Sequence, residues 1–368
     1  MKYYLNGMDG SRIYLQLYEQ LKKDIVAGFY SYGRKLPSKR ILAEEAGVSV
    51  IPVEHAYELL CDEGYVEARE RSGYFVIYRP DDFLTAASHL LPVNAEPQNI
   101  RVSKRGLFPY SVLAKMMRRV LLDYGENILV KSDNCGCVQL RAAIAAYLAR
   151  SSDIIARPEQ IIIGSGAEYL YGLLAQLLGR QNIFALENPS YEQIRKVYQA
   201  NGVQCEMLAL QKDGIDMQQL AASKAGVLHV TPFNSFPSGI STSASKKYAY
   251  LKWAAHRNGY IIEDNYDSEL TVSRKNEETL FALAQAEHLP VIYLNTFSRT
   301  IAPSFRVGYM ILPQCLLQEF QQQLGFYSCT VPVFEQYVLT EMLSSGEFER
   351  HINRLRRARR KQLQQTKK

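Results

Sequence analysis

Small clusters of polar residues follow five short apolar segments of this 368-residue chain. The first cluster, residues 164–167, places glycine and serine just before a helical pattern, where backbone amides and the helix dipole favour a phosphate group. Asp264 and Tyr266 follow the fourth segment and offer a carboxylate and a hydroxyl. Taken alone, a serine–glycine pair is more often a turn and an aspartate more often a cap. Five such clusters in order are a much stronger indication of a ligand site.

The apolar segments alternate with helical patterns, which predicts the elements that position these clusters. The segments are residues 160–163, 182–186, 226–230, 260–262 and 291–294. Continuous apolar strands between helices are typical of a sheet buried on both faces, so the sequence predicts a three-layer α/β/α fold with a mostly parallel sheet. In such sheets ligands bind beyond the carboxyl ends of the strands, which is where the polar clusters fall.

The N-terminal segment, residues 1–78, has a different pattern, of three short helices and a hairpin. Ser38 and Ser49 are suitable N-caps for two short helices, and Ile41 belongs to the apolar face of the first. Strands at residues 65–68 and 74–77 flank a basic turn that contains glycine. Two short helices joined by a brief turn form a helix-turn-helix, to which the hairpin adds a wing. The alternative is a three-helix packing domain without a ligand.

The net charge of +6 does not by itself indicate nucleic acid, because the excess lies at one end of the chain. The N-terminal segment holds ten basic and eleven acidic side chains, whereas residues 350–368 hold nine basic and none acidic. A nucleic-acid-binding tail is one interpretation of that basic run, and a solvated charged face or tail is the other. A DNA-binding role for the N-terminal segment therefore depends on its local pattern.

Composition argues against several other classes of protein. No run of about 18 apolar residues exists, so no membrane span is expected, and the N-terminus lacks the apolar region of a secretion signal. Six scattered cysteines without paired C-x-x-C spacing favour reduced thiols in the cytoplasm and no metal site. Residues 79–100 contain three prolines and no strong periodicity, which predicts an inter-domain linker with one short apolar helix at residues 83–91.

Three short motifs occur at a specific spacing in the helix-turn-helix and its wing. They are Leu36-Pro37-Ser38-Lys39-Arg40, Ala56-Tyr57-Glu58-Leu59-Leu60 and Ser72-Gly73-Tyr74-Phe75-Val76. Together they resemble the GntR-type winged helix. The resemblance implies double-stranded DNA as partner, with Lys39 among the contacts and Ser38 and Arg40 at the phosphate backbone or groove edge. Ser49, Val50 and Pro52 would face the bases, and Arg71, Ser72 and Gly73 would reach the minor groove. Val50 and Pro52 cannot read donor–acceptor patterns and can contact only thymine methyl groups.

The five polar clusters, in their order after the strands, carry a second resemblance. They are residues 164–167, 187–191, 231–239, 263–266 and 295–299, and they are similar to those of the fold-type I aminotransferases. More specifically, a GntR-type head followed by an aminotransferase-like half resembles the MocR regulators. The resemblance implies a winged helix-turn-helix at residues 1–78, a linker at 79–100, an aminotransferase-like large domain at 101–350 and a basic segment at 351–368.

This resemblance implies that the large domain binds pyridoxal 5'-phosphate. The phosphate would be held by five residues: Ser165, Gly166, Ala167, Ser298 and Arg306. Tyr191 would stack on the pyridine ring, Asp264 would pair with the ring nitrogen, and Tyr266 would bond the ring hydroxyl. Asn234 lies where the family places a polar residue beside the cofactor.

Arg299 stands where the family has the lysine that forms an imine with the cofactor, directly after Ser298. A Schiff base needs a neutral amine, and a guanidinium stays protonated with a pKa above ~12, so Arg299 cannot form one. Covalent attachment and the usual enzyme chemistry are therefore not expected, although Arg299 can hold the cofactor or another anion non-covalently. Lys246, Lys247 and Lys275 are alternative amines, but their positions in the sequence do not favour that role.

A second departure from the family lies at the C-terminus. The family has a further small domain of roughly a hundred residues, which contributes the arginine that binds a substrate's α-carboxylate. Residues 349–360 are similar to the helix that leads into this domain, so residues 351–368 are interpreted as a basic remnant of that lead-in. A truncated chain, an early stop and a frame-shifted relic would all give this pattern.

Three functions are compatible with these patterns. The first, which we predict, is a transcription regulator whose aminotransferase-like domain senses a cofactor-related or amino-acid-like effector and forms a homodimer on a DNA operator. The second is an active aminotransferase with a DNA-binding head, and the third is a degenerate regulator without an effector response. Arg299 and the short C-terminus both argue against the enzyme.

Overall fold

The computed structural model divides the chain into two compact units, Met1–Val102 and Ser103–Lys368. It describes residues 3, 5, 12–79, 109–271 and 278–366, except for the side chains of residues 363, 365 and 366. The predicted helix at residues 83–91 lies outside the described residues, and the predicted domain boundaries stay predictions. Within the described part of the chain, no helix is long and apolar enough to cross a membrane.

Three helices and a β-hairpin form the first unit. They are α1 (Ile13–Val26), α2 (Lys39–Ala46), α3 (Val50–Asp62), β1 (Val66–Arg69) and β2 (Gly73–Val76). The strands pair antiparallel, with Val66 opposite Val76 and Arg69 opposite Gly73. The brief turn between α2 and α3 and the hairpin after α3 confirm the predicted winged helix-turn-helix.

The turn between α2 and α3 follows from its sequence. Ser38 caps α2, because its side chain accepts a hydrogen bond from the backbone N–H of Ile41. Gly47 then ends α2 in the left-handed region, at a φ of 66°, where glycine has no steric penalty. Ser49 takes the N-cap position of α3, but its side chain makes no capping hydrogen bond.

One predicted core position of α2 is wrong. Leu42 and Ala43 are buried, whereas Ile41 is 52% exposed. Successive side chains on a helix are about 100° apart, so Ile41 lies to one side of the narrow face that this helix buries. The apolar face of α3 consists of its buried residues Val53, Ala56, Tyr57 and Leu60.

A sheet of eight strands lies at the centre of the second unit. Its strands are β3 (Ile161–Gly164), β4 (Ile183–Asn188), β5 (Gln204–Gln211), β6 (Gly214–Ile215), β7 (Val227–Val230), β8 (Tyr260–Asp264), β9 (Val291–Thr296) and β10 (Gly308–Ile311). Their order across the sheet is β3-β10-β9-β8-β7-β4-β5-β6. The neighbours from β9 to β5 are parallel, as predicted, but β10 is antiparallel to both β3 and β9. Strands β5, β6 and β10 are additional to the prediction.

Helices cover both faces of this sheet. They are α4 (Tyr110–Tyr124), α5 (Val138–Ser151), α6 (Ala167–Leu177), α7 (Glu192–Ala200), α8 (Met217–Ala222), α9 (Ala244–Arg257), α10 (Leu280–Glu287), α11 (Leu317–Gln323), α12 (Val333–Ser344) and α13 (Glu347–Thr366). Ile161 and Ile163 of β3 belong to the hydrophobic cluster that contains Leu140 of α5. Ile162 belongs to a second cluster, which contains Leu174 of α6. Burial of both faces explains the continuously apolar strands and confirms the predicted three-layer α/β/α architecture.

The basic C-terminal segment is a helix that packs on the second unit. Ile352 of α13 is buried in the core. The guanidinium of Arg356 donates to the carbonyl of Glu269 (2.6 Å), and that of Arg359 donates to the carbonyl of Leu270 (3.1 Å). These two arginines are therefore bound within the unit, which argues against a free nucleic-acid-binding tail.

Candidate functional site

A cavity of about 410 Å³ lies at the carboxyl ends of β8 and β9 and beside the first turn of α6. Asp264 ends β8, Thr296 ends β9 and Ala167 begins α6, and all three line the cavity. The carboxyl ends of parallel strands share one edge of a sheet, which is where ligands bind in such folds. Residues from several of the polar clusters therefore share one cavity.

The cavity collects most of the predicted cofactor contacts. Those that line it are Ala167, Tyr191, Asp264, Tyr266, Ser298, Arg299 and Arg306. Those that do not are Ser165, Gly166 and Asn234. It is also lined by residues outside the prediction, which are Glu168, Tyr171, Ile194, Phe236, Thr296 and Pro303. Phe236 and Thr296 lie within two of the polar clusters, so the sequence held a signal for them.

Asp264 presents a buried oxygen without a partner at this cavity. The Tyr171 hydroxyl donates to its Oδ2, and Nε2 of His229 lies 3.7 Å from the same oxygen. Asp264 Oδ1 is buried and has no hydrogen-bond partner among the described residues. A buried acceptor that lacks a donor costs about 1–3 kcal/mol, so an N–H group of a ligand would be stabilised here. A protonated ring nitrogen fits this acceptor.

The N-terminus of α6 forms the end of the cavity where a phosphate is expected. Gly166 has a φ of 100°, and a Cβ added there would lie 3.3 Å from the guanidinium of Arg306, so glycine allows the close approach. The Ser298 hydroxyl donates to the carbonyl of Phe305 (2.9 Å). Arg306 forms an ion pair with Glu168 at 3.1 Å. A phosphate and Glu168 would therefore compete for one guanidinium.

The predicted contacts outside the cavity make hydrogen bonds elsewhere. The backbone N–H of Ser165 donates to the hydroxyl of Thr330 (3.1 Å). The side-chain amide of Asn234 donates to the buried carboxylate of Asp267 (2.6 Å), and the backbone carbonyl of Asn234 accepts a hydrogen bond from the Tyr266 hydroxyl (2.9 Å). Asn234 therefore contacts Tyr266, which lines the cavity, through its backbone carbonyl.

Aromatic side chains line part of the cavity. Tyr191 is 44% exposed and meets Phe236 edge to face, with ring centroids 6.1 Å apart. Burial raises the pKa of the Tyr266 phenol to about 12, so this hydroxyl keeps its proton at neutral pH. Apolar ring faces beside a protonated hydroxyl suit a planar aromatic ligand.

Among the described residues, Arg299 is one of the two arginines that line the cavity. Its side chain is 58% exposed, and its guanidinium lies 3.7 Å from the buried carboxylate of Asp267. Asp267 also accepts from Arg359 of α13 (3.3 Å), so two arginines share this carboxylate. Asp267 was not predicted, although it directly follows Tyr266 of the fourth polar cluster. The long ion pair leaves Arg299 able to bind an anion.

No lysine is among the described residues that line the cavity. Lys246 donates from its ammonium to the carbonyl of Ile215 (2.7 Å), and Lys247 donates to the carbonyl of Glu278 (2.8 Å). Lys275 lies outside the described residues. The described lysines therefore give no support to a substitute for the missing amine.

The predicted DNA contacts fall on the helix-turn-helix and the wing. Ser38, Arg40, Ser49, Val50, Arg71 and Ser72 are exposed. Lys39 forms an ion pair with Glu54 of α3, and Pro52 is half-buried. Arg71 has a φ of 56° at the tip of the wing, and a Cβ added at Gly73 would lie 3.0 Å from the Lys35 side chain. Lys35 thus adds a basic group beside the wing.

Ile51 is a candidate DNA contact that the sequence analysis missed. It is the second residue of α3 and is 63% exposed. The signal was present in the sequence, because Ile51 lies outside the apolar face formed by Val53, Ala56 and Tyr57.

Two family models match different parts of the chain, and solved aminotransferase structures are similar in fold. Residues 13–76 match the family described as "Bacterial regulatory proteins, gntR family", and residues 105–368 match "Aminotransferase class I and II". An archaeal alanine:glyoxylate aminotransferase is similar at 25% identity and a TM-score of 0.60, over 67% of this chain and 62% of its own. Fold and matches together define a class: transcriptional regulators with a winged helix-turn-helix joined to an aminotransferase fold.

Three bacterial regulators match along almost the whole chain. The HTH-type transcriptional regulator YdeL of Bacillus subtilis (strain 168) is 34% identical over 97% of this chain and 79% of its own length. The pyridoxine biosynthesis regulator PdxR of Corynebacterium glutamicum is 30% identical over 96% and 78%, and the "Probable rhizopine catabolism regulatory protein MocR" of Rhizobium meliloti is 28% identical over 93% and 74%. The chain belongs to the MocR-type transcriptional regulators of the GntR family.

Proposed function

We propose that this regulator binds pyridoxal 5'-phosphate, or a close chemical relative, without a covalent bond, and that the bound ligand changes its affinity for a DNA operator. Arg299 carries the proposal, because it faces the cavity and a guanidinium cannot supply the neutral amine of an imine. The name of PdxR, a regulator of pyridoxine biosynthesis, supports this class of ligand.

The chemistry of the cavity supports such a ligand. Asp264 would accept from a protonated ring nitrogen, and Tyr191 would cover one face of the ring. Arg306 and the amides of α6 would hold a phosphate, while Arg299 would hold a second polar or anionic group. Bound pyridoxal 5'-phosphate supplies an electron sink in enzymes, but among the described residues no lysine lines this cavity to move a substrate proton. The protein is therefore proposed to sense its ligand and not to transform it.

Exposed residues of the first unit would contact the DNA. Arg40 would bind phosphate oxygens, and Arg71 would reach the minor groove. Ser49 and Val50, at the start of α3, would face the bases. A homodimer would place two such units on an operator with two half-sites.

Linked binding tests the proposal. The full-length protein is titrated with a duplex selected from a random pool, with and without pyridoxal 5'-phosphate. The ligand should change DNA affinity by about fivefold or more, and the duplex should change ligand affinity by the same factor, because coupling between sites is reciprocal. A ligand that does not bind, or that binds without changing DNA affinity, contradicts the proposal.

Asp264→Asn provides the matched variant. The substitution keeps the volume of the side chain but replaces the carboxylate oxygen that lacks a partner. Ligand affinity should fall, while DNA affinity in the absence of ligand should equal that of the parent protein. A parallel loss of both affinities would indicate misfolding, which circular dichroism of the variant would detect.

A further inference from the structure

Recognition helix α3 exposes apolar side chains at the end that enters the major groove. Val50 and Ile51 are its first two residues, and they are 39% and 63% exposed. Ile51 lies opposite the buried face of the helix, since it is two residues before Val53 and five before Ala56. The N-terminal residues of a recognition helix contact base edges, so these two side chains meet the bases first.

Glu54 and His55, which follow Ile51 on α3, each contact another helix of the first unit. Glu54 pairs with Lys39 of α2, and that contact lowers the pKa of the Glu54 carboxyl, so Glu54 stays ionised. His55 packs edge to face on Tyr14 of α1, with ring centroids 5.6 Å apart. An ionised carboxylate already bound to a lysine is a poor partner for bases among phosphates. Apolar contact is therefore the main readout open to the first turn of α3.

Thymine is the base that offers an apolar group in the major groove. Its 5-methyl group projects there, whereas the other three bases have no methyl group at that edge. We propose that Ile51, assisted by Val50, determines operator specificity by packing on the 5-methyl group of a thymine in each half-site. Ser49, whose hydroxyl makes no capping bond, lies beside them at the helix start.

Replacing thymine by uracil in DNA tests this proposal directly. A duplex selected from a random pool is bound to the full-length protein, and each dT of the half-site is exchanged for dU in turn. One or two positions should lose affinity by about fourfold, the effect of withdrawing one buried methyl group. Ile51→Ala should reduce the difference between the dT and dU duplexes to about twofold or less, because Val50 remains, and the control Val26→Ala, an exposed change on α1, should keep the full difference.

A second variant converts the readout instead of removing it. Ile51→Asn places an amide where it can donate to and accept from adenine, so selection should replace the sensitive thymine by adenine. The proposal is overturned if selection with the parent protein returns no thymine in the half-site. It is also overturned if dU duplexes bind as tightly as dT duplexes, or if Ile51→Ala retains the full, about fourfold, preference for the methyl group.

Discussion

Glu168 is an acidic side chain in a corner of the cavity that otherwise attracts anions. It lies in the first turn of α6 and holds the guanidinium of Arg306 at 3.1 Å. Both side chains are about half exposed, so solvent screens the pair and its strength is modest. A phosphate that enters this corner has to displace Glu168 from Arg306 and remain close to its negative charge.

Glu168→Gln should therefore tighten binding of pyridoxal 5'-phosphate by about fivefold, because it frees Arg306 and removes a like charge. Fluorescence titration of the full-length protein measures the change. Glu192→Gln is the matched control, since Glu192 is in the first turn of the neighbouring helix α7 and pairs with Lys196. Equal affinities for the Glu168 variant and the parent would place the phosphate elsewhere.

Glu269 is a buried carboxyl whose ionisation opposes folding. Its Oε1 accepts from Asn295 (2.8 Å), whereas its Oε2 has no partner among the described residues. Burial raises the pKa of Glu269 from 4.5 to about 7. The folded protein thus keeps this proton at pH values at which the unfolded chain has released it. Its stabilising effect is complete below pH 4.5 and is lost as the pH rises to about 7.

Glu269→Gln should remove this pH dependence. From pH 4.5 to about 7, the free energy of unfolding of the parent should fall, relative to the variant, by up to about 3 kcal/mol. Urea unfolding at a series of pH values measures the difference. Glu287→Gln, at an exposed position, should follow the parent at every pH. A constant difference between the Glu269 variant and the parent across this range would contradict the account.

Helix α2 depends on a cap that α3 lacks, although serine precedes both helices. The Ser38 side chain accepts from the backbone N–H of Ile41, whereas the Ser49 side chain makes no such bond. Ser38→Ala should cost about 1 kcal/mol of local stability, and Ser49→Ala should cost less. Hydrogen exchange of peptides from α2 and α3 measures both effects. Equal acceleration of exchange in the two variants would show that Ser38 has no special role.

Strands could be predicted from the sequence where burial on both faces of the sheet requires a run of apolar residues. Strands β3, β4, β7, β8 and β9 are continuously apolar because both faces of the sheet are covered, and all were predicted. Strand β5 is half-exposed next to the short edge strand β6, so its sequence lacks that pattern. Strand β10 is buried but only four residues long, and it begins two residues after Arg306, which was interpreted as a phosphate contact. Ile41 shows the opposite error, an apolar residue on an exposed face.

The cavity was predictable to the extent that strand ends define it. Asp264 ends β8 and Ser298 lies two residues after β9, so their positions can be inferred from sequence order. Tyr171 and Glu168 lie on α6 and reach the cavity only through the packing of that helix. Their contacts with Asp264 and Arg306 join positions that are far apart in the sequence, which no local pattern reveals.

At the scale of the whole molecule, overall charge does not identify the DNA-binding surface. The N-terminal segment is nearly neutral, and two arginines of the basic C-terminal helix are bound within the second unit. DNA affinity should therefore depend on a few placed side chains. Arg40→Ala should weaken binding to all sequences and reduce the slope of log K against log salt by about 1. Lys23→Ala, at an exposed position of α1, should leave the slope unchanged.

The central claim is that a regulator of this family holds its ligand in an aminotransferase cavity without a covalent bond. The most direct measurement is borohydride reduction of the full-length protein with pyridoxal 5'-phosphate, followed by mass spectrometry. The parent should bind the ligand but acquire no adduct at the cavity, because a guanidinium cannot react as an amine does. Arg299→Lys should acquire one adduct, at residue 299. If the parent protein instead acquires an adduct on a lysine within the cavity, that result would contradict the claim.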